Sequence, residues 1–180
     1  MQVVAVVGPK DTYKTVLLEA LIARLREAGL RVAAVKHLHH ASSVDREGKD
    51  TWRLSRAGAS IVVAVAGDEV AVIRRGARPS LKEVLSMLEG EVDVVLVEGF
   101  KSEVLGDEGV VKVVAAKTRD ELRRLLAEAR PPVFAVIGPV VGHLDEGHEP
   151  APLSVESCAD RLAKLIINGA AKRGEQVNMG

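Results

Sequence analysis

Val3-Val4-Ala5-Val6-Val7 leads into Gly8-Pro9-Lys10-Asp11-Thr12-Tyr13-Lys14-Thr15. A short apolar run bounded by turn residues is the pattern of a strand buried on both faces. From Lys14 the period changes. Leu18, Leu21, Ile22 and Leu25 recur at helical spacing, and Gly29 supplies a stop. Arg31–Val35 is a second buried run. Residues 2–35 therefore spell strand, loop, helix, strand, which is a βαβ unit.

Beyond this unit the pattern continues. Residues 37–50 are polar and uneven, as in a long functional loop. Asp50–Ala57 is predicted as a short helix. Ile61–Val65 and Val70–Ile73 flank Ala66-Gly67-Asp68-Glu69 and read as an antiparallel hairpin. Ser80-Leu81-Lys82-Glu83 and Thr118-Arg119-Asp120-Glu121 are capping boxes opening helices to about Leu88 and Ala129. Val92–Val97, Val110–Ala115 and Val133–Ile137 are buried strands, and Ser154–Ile167 is a last helix stopped by Asn168-Gly169. The expected fold is α/β, a mostly parallel sheet with helices on both faces and the hairpin near residues 61–73. Residues 1–168 form one domain in this reading, and 169–180 a frayed polar tail. Ligands of such sheets bind at the C-terminal strand ends, here the loops at 8–15, 36–50, 98–109 and 138–150.

Gly8, Lys14 and Thr15 match the phosphate-loop pattern G-x-x-x-x-G-K-[ST] at the right spacing. In such loops backbone N–H groups and a helix N-terminus cradle an anion, the lysine reaches the outer phosphates, and the hydroxyl binds Mg²⁺. The candidate nucleotide-binding stretch is Gly8, Pro9, Lys10, Asp11, Thr12, Tyr13, Lys14, Thr15 and Val16. Tyr13 stands where the second glycine belongs. It predicts weakened binding and almost no hydrolysis. Glu98, just past the strand ending at Val97, suits a Mg²⁺-organising and catalytic acid. Asp93 lies at the wrong end of that strand. Asp45 and Asp50 reach Mg²⁺ if their loop folds over the nucleotide. His37, His39 and His40 leave open a transition-metal site, a ligand contact or a polar loop. Lys117 and Asp120 are one residue too far apart for a guanine-reading pair, and Asp120 belongs to a capped first turn. Trp52 and Cys158 are expected in the core.

Composition narrows the function classes. The chain has 180 residues, 47% of them hydrophobic, and 25 Lys+Arg balance 25 Asp+Glu. Zero net charge argues against a nucleic-acid-binding face as the main business. The longest stretch free of Asp, Glu, Lys and Arg, residues 131–144, holds three prolines. A membrane span needs about 20 apolar residues. No basic segment precedes an apolar one near residue 1, and Cys158 is alone. A cytoplasmic protein is the expectation.

Val-Val-Gly-Pro-Lys-Asp-x-x-Lys-Thr at 6–15, Val-Lys-His-x-His-His at 35–40, Asp45 with Gly-Lys-Asp at 48–50, Arg53, Ala57-Gly58-Ala59 and Val-Glu-Gly-Phe-Lys at 97–101 occur together. This combination resembles the molybdopterin-guanine dinucleotide biosynthesis protein B family, MobB, over roughly residues 2–101. The resemblance implies a homodimeric P-loop NTPase-like GTP-binding protein with weak GTPase activity. Such a protein assists a MobA-type guanylyltransferase that attaches GMP to the molybdenum cofactor. Partners would include molybdenum cofactor enzymes, with molybdopterin as a further candidate ligand. Gly8, Lys14 and Thr15 would hold phosphate and Mg²⁺, with Asp50 and Glu98 near the metal. The competing readings are a nickel-chaperone GTPase and an ATP-dependent small-molecule ligase or kinase.

Overall fold

The computed structural model describes residues 1–38, 43–76, 78–145 and 147–177, from residue 172 as backbone only. The chain forms two compact units, Met1–His37 with Leu81–Gly180, and Leu38–Ser80.

In the larger unit, five strands make one sheet: β1 (Gln2–Val7), β2 (Val32–Lys36), β5 (Val94–Glu98), β6 (Val111–Ala115) and β7 (Val133–Ile137). Their order is β2-β5-β1-β6-β7 and every pairing is parallel. Strands covered on both faces need apolar residues at every position, and β5 is buried along its whole length. The sheet's side chains sort by parity. Val4, Val6, Val94, Leu96, Val113 and Ile137 face α1 (Lys14–Glu27) and α6 (Val155–Val177). Ala5, Val7, Val95, Val97, Val114 and Val136 face α3 (Leu81–Met87), α4 (Lys101–Val104) and α5 (Arg119–Glu128). The expected P-loop NTPase-like layering, with helices on both faces, is what the structure has.

On α1, Leu17, Leu18, Leu21 and Leu25 form the buried stripe. Each contributes about 1.5–3 kcal/mol by leaving water. Across from it, Cys158 on α6 is fully buried, and burial pushes its thiol up to about 12. It is a core residue, as expected. Helix α5 carries the capping box read from Thr118 and Glu121, with both reciprocal bonds made. Helix α6 does not stop at Asn168-Gly169 but runs on to Val177. Gly169 is not among the glycines with positive φ, so it does not take the left-handed conformation with which a glycine ends a helix.

The smaller unit holds α2 (Asp50–Arg56) and the antiparallel pair β3 (Ile61–Ala66) and β4 (Glu69–Arg74). The turn is Gly67-Asp68, as the sequence predicts, with Gly67 at φ 58°. Val63 pairs with Val72 and Val65 with Val70 on one face of this ribbon. Those four and Ile61 are exposed, whereas Val62 is buried. Trp52 is half-buried beneath the Arg56 guanidinium, 5.7 Å from its ring centre, and not a core residue.

Candidate functional site

The site is built where β1, β2 and β5 end. Strand β1 stops at Gly8, whose φ of 153° and lack of a side chain let the loop pass against the Ala115 carbonyl. The loop then turns through Asp11 (φ 57°) and Tyr13 (φ 65°), both left-handed. Non-glycine residues pay about 1–2 kcal/mol there. One acceptor organises the loop from inside. The Pro9 carbonyl accepts from the Thr12 hydroxyl at 2.8 Å and from Lys14 Nζ at 2.5 Å, and Thr12 is fully buried.

Tyr13 thus takes the conformation a glycine would take freely. The residue is 53% exposed, so its side chain does not fill the loop. The cost of this departure is conformational rather than a blocked site. Tyr13 is also the N-cap of α1, and it offers no side-chain cap. The first turn of α1 contains no acidic residue. The amides of that turn lack helical acceptors, and the dipole's positive end is not neutralised from within the helix. Lys14 adds an ammonium whose pKa is pulled below the usual lysine range, chiefly by burial. Glu98 opposes that shift, and Lys36 reinforces it.

Glu98 closes β5. Its carboxylate accepts from the Thr15 hydroxyl at 2.8 Å, joining two residues 83 positions apart in the chain. The strand end is fixed by its neighbours. The His37 amide donates to the Glu98 carbonyl at 2.9 Å, and the Gly99 amide to the Val6 carbonyl at 3.3 Å. A Cβ added at Gly99 (φ 97°) would stand 3.0 Å from His37 Cβ, and the His37 ring stacks on Phe100 with centroids 4.6 Å apart. Sequence reasoning assigned no role to Lys36. It closes β2 directly beside Glu98, its Nζ 3.2 Å from the carboxylate.

Other candidates lie elsewhere. Asp93 is committed to Arg31 at 3.0 Å, at the opposite end of β5. In the smaller unit Asp45 accepts from Thr51 at 2.9 Å and pairs with Arg75 at 3.4 Å, its side chain only 6% exposed. It therefore serves that unit's own packing and is no free metal ligand. Asp50 opens α2, fully exposed, with Arg53 at 3.5 Å. His39 and His40 lie outside the described residues, among which no cluster of three His, Cys, Asp or Glu is placed to hold a metal. Lys117 pairs with Asp11 of the loop at 3.3 Å, while Asp120 pairs with Arg123 on the surface of α5.

Residues 3–138 match the family described as MobB, molybdopterin guanine dinucleotide synthesis protein B. The chain belongs to the MobB family. A molybdopterin-guanine dinucleotide biosynthesis adapter protein of Haemophilus influenzae is 40% identical over 100 residues, 54% of this chain and 56% of that protein. A Bacillus subtilis protein named as an adapter of the same kind is 30% identical over 154 residues, 84% of this chain and 83% of its own. The chain spans about half the length of several curated MobB relatives it matches. The crystal structure of Bacillus subtilis MobB superposes with a TM-score of 0.70 at 26% identity, covering 91% of this chain and 97% of that one. MobB-family membership accounts for the sheet, the loop after β1 and the layering together. Among the described residues no helix is long and apolar enough to cross a membrane.

Proposed function

We propose that this chain binds GTP with Mg²⁺ and acts as an accessory protein in molybdopterin guanine dinucleotide biosynthesis. The relatives' names point to that pathway. The observation that carries the nucleotide reading is the Thr15–Glu98 hydrogen bond of 2.8 Å beside the half-buried Lys14 ammonium. A hydroxyl and a carboxylate are hard oxygen donors of the kind Mg²⁺ prefers, and they fit the ion. Bound there, the ion neutralises charge on the outer phosphates. Lys14 and the first-turn amides of α1 hold the phosphates, and Glu98 orients the Thr15 hydroxyl. Asp50, whose carboxylate is 93% exposed in the smaller unit, is kept as a further candidate metal ligand on the resemblance of its Gly-Lys-Asp segment alone. Strain at Tyr13 and a carboxylate already engaged by Thr15 favour binding with little hydrolysis.

Calorimetric titration with GTP and with ATP, each with and without Mg²⁺, tests this. Glu98→Gln is expected to weaken Mg²⁺-dependent GTP binding about tenfold, roughly 1.4 kcal/mol, and to leave Mg²⁺-free binding nearly unchanged. Equal loss in both conditions would remove Glu98 from the metal site. Preference for ATP would favour the ligase or kinase reading.

The chain acts as a homodimer in this proposal, working in the cytoplasm with a MobA-type guanylyltransferase and with molybdenum cofactor enzymes, molybdopterin being a further ligand. The dimer rests on the exposed face of Ile61, Val63, Val65, Val70 and Val72. A lone two-stranded ribbon is marginal in water, and a second copy of this apolar face covers it. Light scattering at micromolar concentration should give twice the 19.2 kDa chain mass. Val63→Glu with Val72→Glu should give the monomer, and a monomeric wild type would end the dimer claim.

A further inference from the structure

Three oxygens surround the Lys36 ammonium. Its Nζ lies 3.2 Å from each Glu98 carboxylate oxygen and 3.4 Å from Thr15 Oγ1. An ammonium has three N–H donors and no acceptor, so this one position answers three acceptors at once. The arrangement follows from the sheet. Lys36 and Glu98 are register partners at the ends of adjacent parallel strands, which puts their side chains on one face. The two groups differ in freedom. The Glu98 side chain is 12% exposed and held by Thr15, whereas that of Lys36 is 51% exposed. A carboxylate so buried needs a counter-charge, and the flexible lysine stem can withdraw its head into water without disturbing the packing.

We infer that Lys36 is a tethered counter-ion for the Thr15–Glu98 pair, competing with Mg²⁺ for the same oxygens and displaced when the ion binds. The inference rests on the nucleotide reading for its Mg²⁺ arm only. A divalent ion within bonding distance of these oxygens and an ammonium 3 to 4 Å away repel each other strongly in a partly dry site. Lys36 thus acts as a positioning residue. It keeps Glu98 turned toward Thr15 in the metal-free protein, and it raises the Mg²⁺ concentration at which the site fills. Lys14 does not share this role, because its ammonium is anchored on the Pro9 carbonyl.

Two measurements on the full chain test it. In the first, a fluorescent GTP analogue is titrated at a series of Mg²⁺ concentrations and constant ionic strength. Lys36→Met is expected to lower the half-saturating Mg²⁺ concentration about fivefold, the equivalent of roughly 1 kcal/mol, with Lys36→Arg near wild type. An unchanged or raised midpoint in Lys36→Met overturns the inference. The second uses no nucleotide. Urea unfolding in EDTA of wild type, Lys36→Met, Glu98→Gln and the double variant gives a coupling term. The two changes should be non-additive by about fivefold in the unfolding constant, and additivity overturns the inference. If wild type binds no GTP analogue at any Mg²⁺ concentration, the nucleotide reading falls and the unfolding cycle alone decides the counter-ion role.

Discussion

Gly8→Ala is expected to destabilise the protein by about 3–5 kcal/mol, a large part of the roughly 5–15 kcal/mol that holds a domain folded. The added methyl would overlap the Ala115 carbonyl oxygen and stand 2.8 Å from its carbonyl carbon and 3.0 Å from its Cβ. The obstacle is backbone, so no side chain can turn aside. Nor can the strands part easily, because β1 and β6 are central, paired from Val4–Val111 to Val7–Val114, and Ala115 is fully buried. Overpacking costs about 1–3 kcal/mol and a strained backbone position a similar amount. Gly29→Ala is the control. Its φ is also positive, at 80°, but nothing lies within 4 Å of the new methyl. About 1 kcal/mol is expected there. Urea denaturation of both variants makes the comparison. A Gly8→Ala loss no greater than that of Gly29→Ala would show that β6 yields.

Lys14→Ala should weaken GTP binding about 100-fold while leaving folding stability close to wild type. One charge-assisted hydrogen bond contributes about 1.5–3 kcal/mol, and an ammonium with three donors makes more than one such contact with a phosphate chain. The side chain is already turned back over the loop onto the Pro9 carbonyl, so little ordering remains to be done on binding. The pH dependence follows from its surroundings. Burial lowers the Lys14 pKa, so its charge is lost earlier on the alkaline side than that of an exposed lysine. Pyrophosphate affinity, free of base ionisation, should fall as pH rises through that range, and the fall should be absent in Lys14→Ala. A loss under tenfold in the variant at neutral pH would mean that the first-turn amides alone carry the anion.

The strands were legible because burial on both faces leaves a signature that needs no partner to be seen. Val133–Ile137 has the predicted limits, and β1 and β6 differ from theirs by one residue. The hairpin and the Thr118 capping box were equally plain, since turn and cap chemistry is local. Helix α4, four residues long, lay inside a predicted loop because one turn is too short to show a period. The end of α6 differs from the expected one because Gly169 stays out of the left-handed conformation, and a glycine in the sequence does not announce which of the two it takes. In the site, Thr15 and Glu98 could be named from strand-end logic. Lys36 could not. Its pairing with Glu98 depends on β2 lying next to β5, and nothing in either segment alone announces that adjacency.

The strand order also sets a sequence in time. β1 lies between β5 and β6, and its register partners begin at Val94 and Val111. Neither exists while a ribosome is making the first half of the chain. The phosphate loop, written in the opening fifteen residues, therefore has no walls until the chain has grown past Ala115. Contacts so distant close slowly, because the intervening chain must be gathered first. The nucleotide capture proposed above would thus be reserved for a polypeptide whose sheet is already assembled from edge strand to centre.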